Sequence, residues 1–351
     1  MKIAIPVVGF SRAGGERVLS RIATELIIRG HDVYFVAPDN GSEPYYPTSA
    51  TIYRSFKETK YNKVVNYLIT YYKIFKKCAE LKPDLVLANY NLTAYIAYFL
   101  PKKIIKVYYI QAYETLLSQS RLRKLIAYLT YSLPLNKIVN NENILPEKIN
   151  DYIDVIPAGV DTQVFSSRNK MNSRHSIGII GRKEKHKGTS ELIDVLIDWI
   201  PGKDCILNIG VYLDERDAHR LEQAGVRYNH IPINNDSALA DFYRSNDLMI
   251  ATGLVEDGAF HYPCAEAMAC GCLVISNYAP LVNTDSVLKI KQFSKELIRE
   301  KLDVFYNLVP AQIQHEIEGN NIIDKIYSWD IVGDKFDKVL VEIKKKSDGN
   351  K

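Results

Sequence analysis

The sequence predicts an α/β protein made of two Rossmann-like domains in tandem, each a parallel sheet covered by helices. Three observations carry this expectation. The chain has 351 residues, too many for one ordinary core and suited to two domains of roughly 100–200 residues each. Apolar runs of strand length alternate with amphipathic helical stretches, and the runs are apolar throughout, as strands buried on both faces are. The alternation stops at a polar stretch without periodicity, residues 164–173, and resumes beyond it.

The elements follow in order. Ile3–Val8 reads as the first strand, then come a glycine-bearing turn, a helix near Glu16–Arg29 and a strand Asp32–Val36. A helix covers Asn62–Leu81, strands Leu85–Ala88 and Ile105–Ile110 follow, and a helix spans Arg121–Ser132. Lys137–Asn140 and Asp154–Ile156 are the last strands of this half. The first domain therefore spans 1–163, residues 164–173 are the linker, and the second domain spans 174–324. In it the strands are Ser176–Ile180, Cys205–Gly210, Asp247–Ala251 and Leu273–Ser276, with helices near Ser190–Trp199, Asp217–Ala224 and Cys264–Ala269. In the tail, 325–345, Trp329, Ile331, Val332, Phe336, Val339, Leu340 and Ile343 share one helical face, which predicts a last helix returning to the first domain.

Composition excludes several classes. With 47% apolar and 25% charged residues, 18 Gly and 14 Pro, the chain is not collagen-like, disordered or a disulfide scaffold. Its longest uncharged runs, Leu85–Pro101 and Ala267–Thr284, are shorter than the roughly 20 residues a spanning helix needs, and each splits into strand, turn and helix pieces. The N-terminus lacks the pattern of a signal peptide, so a cytoplasmic location is expected. The five cysteines then read as reduced thiols, and Cys264, Cys270 and Cys272 as core residues rather than a zinc site. The asparagine sequons at 40, 91 and 235 match by pattern only. A net charge of +4 conceals +10 over residues 1–150 and −6 over the rest, which suggests different partners for the two halves.

Four segments could carry chemistry. Gly9–Val18 holds Gly14 and Gly15 in the turn after the first strand, where backbone can approach a ligand closely and a following helix points free amides at it. Val155–Phe165 reads Val-Ile-Pro-Ala-Gly-Val-Asp-Thr-Gln-Val-Phe. Ile179–Gly188 carries Arg182 and Lys187, a guanidinium fork and a mobile ammonium suited to phosphate oxygens. Glu256–Gly271 contains Phe260, His261, Tyr262, Pro263 and Glu266, with proline where a helix begins. In this order the four segments resemble the GT-B glycosyltransferases of family four, the last of them the "EAMACG" signature.

That resemblance implies a GT-B fold, two Rossmann-like domains with parallel sheets facing across a cleft. It further implies a retaining transfer of a hexosyl or deoxyhexosyl group from a nucleotide sugar to a saccharide or lipid-linked saccharide acceptor, in bacterial surface polysaccharide or glycolipid assembly. Arg182 and Lys187 would hold the donor diphosphate together with Gly14, Gly15 and the helix after Pro263. Glu266 would accept hydrogen bonds from the ribose, and Phe260 and Tyr262 would complete the donor site. Gln111, Tyr113, Glu114 and His261 are candidates for positioning the sugars at the reacting centre. The sequence departs from the family at Gly258, where the first glutamate of the signature normally stands; Glu256 and Asp257 lie just upstream. A bacterial rhamnosyltransferase-like subset shares that loss, the Tyr-Pro of this loop and a segment like Tyr109–Glu114. No two aspartates have D-x-D spacing, so neither a metal nor another cofactor is expected. A GT-B nucleotide-sugar epimerase and an inactive sugar-nucleotide-binding protein remain alternatives.

The remaining histidines, His31, His175, His186, His219, His230 and His315, have no triad or metal-ligand spacing. The basic first half has two readings. Lys57, Lys60, Lys63, Lys73, Lys76, Lys77 and Lys82 interleave with Tyr61, Tyr67, Tyr71, Tyr72 and Phe75, and Arg121, Arg123 and Lys124 repeat the theme. Such helices rest peripherally on an anionic membrane surface, or they are solvated faces over a tyrosine-rich core. No nucleic-acid recognition motif accompanies the charge.

Overall fold

The computed structural model describes residues 1–11, 14–39, 43–57, 62–116, 119–142, 144–167 and 176–349. Arg12, Ala13, the sequon at 40–42, Lys60, Tyr61, the linker residues 168–173 and His175 lie outside them. The chain divides into two compact units, Met1–Gly159 with Trp329–Lys351, and Val160–Ser328.

The first unit runs β1 (Lys2–Pro6), α1 (Gly14–Ile28), β2 (Asp32–Asp39), β3 (Thr51–Lys57), α2 (Lys63–Leu81), β4 (Leu85–Ala88), α3 (Asn91–Phe99), β5 (Ile105–Ile110), α4 (Arg121–Thr130), β6 (Asn136–Val139) and β7 (Asp154–Val155). All seven described strands are parallel, in the order β3-β2-β1-β4-β5-β6-β7. In register, Ile3 lies between Val33 and Leu85. β1 and β4 are central, with helices on both faces, so nearly every side chain in them is buried. The order turns back beside β1, which puts Pro6, Asn89, Gln111 and Asn140 at the carboxyl edge, where open α/β sheets bind ligands.

The second unit runs β8 (Ser176–Ile180), α5 (Thr189–Trp199), β9 (Ile206–Gly210), α6 (Glu215–Gln223), β10 (Tyr228–Ile231), α7 (Asp236–Arg244), β11 (Leu248–Ile250), α8 (Tyr262–Ala269), β12 (Leu273–Ile275), α9 (Lys295–Asn307) and α10 (Pro310–Gly319). Its described strands are also parallel, ordered β10-β9-β8-β11-β12. Two apolar clusters fill it. One packs Trp199, Leu302 and Phe305 beneath the sheet, and the other packs Phe165, Tyr243, Met268 and Ile323 around α8.

The last helix, α11 (Trp329–Gly349), belongs to the first unit. Phe336 meets the Tyr109 ring edge-on at 5.0 Å. Arg29 bonds Asp330 and Asp334 at 2.8 Å each, and His31 meets Asp337 at 2.6 Å, so His31 fastens this helix. The expected apolar face is buried except Ile331, which is 40% exposed.

The domain boundaries differ from the sequence expectation. The chain crosses between Gly159 and Val160 and returns between Ser328 and Trp329. Residues 164–167 are therefore not linker: Phe165 is buried in the second unit's core and Arg244 donates to the Val164 and Ser166 carbonyls. Polarity concealed this, because one buried aromatic ring anchors an otherwise hydrophilic segment. The run Leu85–Pro101 does split, into β4 and α3, and Ala267–Thr284 splits likewise around β12. All five cysteines are free and buried, and burial pushes the Cys264 and Cys270 thiols up to about 11 and about 12. Among the described residues no helix is long and apolar enough to cross a membrane.

Candidate functional site

Two groups of the sequence-selected residues form, one in each unit. In the second unit, Arg182, Lys187, His261 and Pro263 line one cavity together with Thr189 and Thr252. The chain makes this locally. After β8 it turns through a single 3-10 turn, Lys185–Lys187, and Gly188 ends that turn and begins α5 with a φ of +71°, which glycine adopts without a Cβ clash. The Thr189 hydroxyl accepts from the Arg182 amide at 3.0 Å, closing the loop. Both cations are thereby brought to the carboxyl ends of β8 and β11, and neither side chain has a carboxylate partner among the described residues.

The opposite wall is the start of α8. His261 is its N-cap, with its amide bonded to the Ala279 carbonyl at 3.0 Å and its ring 4.4 Å from that of Tyr278. Burial, then the charges of Lys187 and Arg182, drive the imidazole down to about 3, so it is neutral at physiological pH. Its Nδ1 and the Thr252 Oγ1 are buried without a hydrogen-bond partner among the described residues. A buried polar atom left unpaired costs free energy that a ligand can return. The cavity thus presents two uncommitted cations, two orphaned polar atoms and a helix N-terminus, a combination suited to an anion with several oxygens.

Glu266 does not line this cavity. It is 1% exposed and accepts from the Tyr243 hydroxyl at 3.1 Å. Burial and the Glu266 carboxylate push the Tyr243 phenol well above its ordinary value, while the Arg182 charge acts the other way. Phe260 and Tyr262 pack edge-on at 5.1 Å, and Phe260 also stacks on Tyr327.

The departing loop is held by Asn277, which is fully buried. Its side chain accepts from the Gly253 amide and donates to the Gly253 carbonyl, and its carbonyl accepts from the Gly258 amide at 2.8 Å. Its Nδ2 also donates to Asp257 Oδ1 at 2.6 Å. Gly258 has a φ of +77°, a conformation a glutamate at this position would adopt only under strain. Asp257 is thereby committed to the loop, and Glu256 is left exposed, itself at a φ of +62°.

In the first unit, Gly14 and Gly15 open α1, and Gln111 Nε2 donates to the Gly15 carbonyl at 3.2 Å. The Gln111 carbonyl accepts from Asn140, whose own Oδ1 is buried without a partner among the described residues. Glu114 stands apart from that pair. It is 7% exposed, accepts from the Asn91 amide at the start of α3 at 3.0 Å and from Tyr108, and burial raises its carboxyl to about 7. Tyr113 tilts against Tyr131, whose hydroxyl accepts from the Glu114 amide. Sequence reasoning missed Thr189, Tyr243, Thr252 and Asn277, since none lies in a recognisable pattern. His261 Nδ1 and Thr252 could have been sought only once the pocket was seen.

Residues 12–164 match the family model described as Glycosyltransferase Family 4. No curated protein matches the chain at a significant level. Among solved structures, it resembles sucrose-phosphate synthase from Thermosynechococcus elongatus, with a TM-score of 0.73 and 16% identity over 97% of this chain and 98% of that one. It resembles HepE from Anabaena, solved with UDP and glucose, with a TM-score of 0.71 and 16% identity over 97% of this chain and 100% of that one. The lipopolysaccharide outer core galactosyltransferase WaaB gives a TM-score of 0.72 and 15% identity over 97% and 99%. The fold is GT-B, and together with the family match it supports a glycosyltransferase of that type.

Proposed function

We propose that the chain is a retaining glycosyltransferase that moves a hexosyl or deoxyhexosyl group from a nucleotide sugar to a saccharide or lipid-linked saccharide acceptor. The observation that carries this reading is the convergence of Arg182, Lys187, His261 and the first turn of α8 on one cavity, with neither cation paired to a carboxylate among the described residues. The donor diphosphate is assigned to the mouth of this cavity, whose enclosed space is only water-sized. As the bond to the anomeric carbon breaks, negative charge grows on the leaving phosphate, and Arg182, Lys187 and the α8 amides stabilise that charge more than the ground state. The acceptor hydroxyl attacks the oxocarbenium-like carbon and passes its proton to a leaving phosphate oxygen. No side-chain base and no metal are needed for this path. Neutral His261 orients the sugar as a hydrogen-bonding group, and Glu256 supplies the carboxylate that Gly258 does not. Glu266 recognises the ribose, with Tyr243 holding its carboxylate in place.

UDP bound to HepE supports a uridine donor as the first to test, and WaaB, a lipopolysaccharide outer core galactosyltransferase, supports a place in the assembly of bacterial surface glycolipid or polysaccharide. The test is a thermal-shift screen with UDP-, GDP-, dTDP- and ADP-sugars, followed by release of nucleoside diphosphate with and without saccharide acceptors. Arg182→Ala should lower turnover about 10²–10³-fold while the thermal midpoint stays that of wild type. Wild-type turnover in the variant would remove the assignment, and conversion of the donor sugar without acceptor would favour an epimerase.

A further inference from the structure

Helix α4 presents outward what a helix on a sheet ordinarily buries. Its inner face is Ala127 and Thr130, both buried, whereas Leu122, Leu125 and Leu129 are 66%, 54% and 48% exposed. These leucines follow i, i+3, i+7 spacing and form one stripe along the helix. Arg121, Arg123 and Lys124 are exposed beside them, and the helix contains no acidic residue. The first turns of α2 repeat the arrangement, with Val65, Leu68 and Tyr72 exposed at the same spacing. α3 packs against both helices, so α2, α3 and α4 form one layer, and the starts of α2 and α4 share the carboxyl edge of the sheet. Across these three helices the sequence has seven Lys and Arg against a single acid, Glu80.

We propose that this layer docks the first unit on an anionic lipid surface, the leucine stripe of α4 entering the boundary between headgroups and acyl chains. Charge selects this occupant. A second copy of the chain would bring two basic faces together, and like charges in contact oppose association. Anionic headgroups satisfy the arginines and lysine while the leucines leave water, which is how amphipathic helices lie on membranes. Of the two helices that the sequence marked as basic and aromatic, α4 carries the continuous apolar stripe, and the outward face of α2 turns polar at Lys76 and Glu80. The inference deepens the proposed function by placing the enzyme where a lipid-linked acceptor lies, and it is read out without donor or acceptor, so either can fail alone.

The experiment is co-sedimentation of the full chain with vesicles of phosphatidylcholine, and of equal parts phosphatidylcholine and phosphatidylglycerol. Wild type should pellet with the anionic vesicles, and raised salt should release it. The triple variant Leu122→Ser, Leu125→Ser, Leu129→Ser and the triple variant Arg121→Gln, Arg123→Gln, Lys124→Gln should each bind at least about tenfold more weakly. Both should keep the circular dichroism spectrum and thermal midpoint of wild type, since all six side chains are exposed. Absence of pelleting, equal pelleting with neutral vesicles, or unchanged binding by either variant overturns the proposal. A wild-type dimer in light scattering that the leucine variant turns into a monomer would assign the face to a second copy instead.

Discussion

Replacing Glu114 by glutamine should flatten the pH dependence of stability. The carboxyl sits 7% exposed between the Asn91 amide and the Tyr108 hydroxyl, and burial raises it from 4.5 to about 7. An acid raised on folding holds its proton more tightly in the folded chain. Its contribution is complete below about pH 4.5 and is lost as pH rises through about 7. A difference of about 2.5 units at about 1.4 kcal/mol per unit means that wild type loses roughly 2–3 kcal/mol from this group between about pH 5 and pH 8. Glutamine keeps an oxygen for the Asn91 amide and carries no charge, so the variant lacks this slope. Urea unfolding of both proteins at the two pH values measures it. The variant should gain about 2–3 kcal/mol on wild type at the higher pH. A constant difference across the range would mean that Glu114 ionises like a surface carboxylate, and the reading of a near-neutral buried group would be wrong.

His261 acts with the opposite sign. Its folded value of about 3 lies below the ordinary 6.5, so its contribution is present above pH 6.5 and is lost as pH falls toward 3. His261→Phe should remove about 2 kcal/mol of acid sensitivity between about pH 7 and pH 4.5, read by unfolding midpoints. Tyr243→Phe withdraws the hydroxyl that bonds Glu266 at 3.1 Å. It should cost about 1–3 kcal/mol of stability and weaken donor binding in calorimetry; unaltered donor affinity would place Glu266 outside the donor site.

How much of this was legible in the sequence depends on where each residue meets water. β1 and β4 are buried on both faces and read as unbroken apolar runs. β3, Thr-Ile-Tyr-Arg-Ser-Phe-Lys, and β10, Tyr-Asn-His-Ile, are edge strands with polar residues among the apolar ones, and no apolar run announced them. Arg182, Lys187, His261 and Pro263 were legible because loops at strand ends carry chemistry in short contiguous patterns. Tyr243 was not, because its role exists only once α7 packs beside α8 and brings it to Glu266, 23 positions away. Glu114 was legible as a residue of interest, but its setting was not, since burial by Tyr108 and Asn91 leaves no mark in the local sequence.

The charge split of the sequence becomes informative once the true boundaries divide it. The first unit carries 27 Lys and Arg against 18 Asp and Glu, and the second 18 against 23. In a unit with surplus acid, basic side chains find partners readily. Arg220 pairs with Asp194 and Asp217, Lys295 with Asp194, Arg299 with Asp198, Arg227 with Asp204 and Arg244 with Asp241. Composition therefore does not explain why Arg182 and Lys187 stand without a carboxylate partner among the described residues at the cavity. Leaving them so preserves a local positive site in a negative surrounding, which suits one compact anion held at short range. In the basic unit part of the surplus lies in the α2–α4 layer, where Lys76, Arg121, Arg123 and Lys124 are exposed, which suits an extended anionic surface. Screening separates the two, because salt weakens interactions among exposed charges far more than contacts inside a cavity. On the two proposals made above, the cations of the second unit serve a substrate and those of the first a surface, and composition accounts for the second assignment but not for the first, which rests on where the β8–α5 loop holds Arg182 and Lys187.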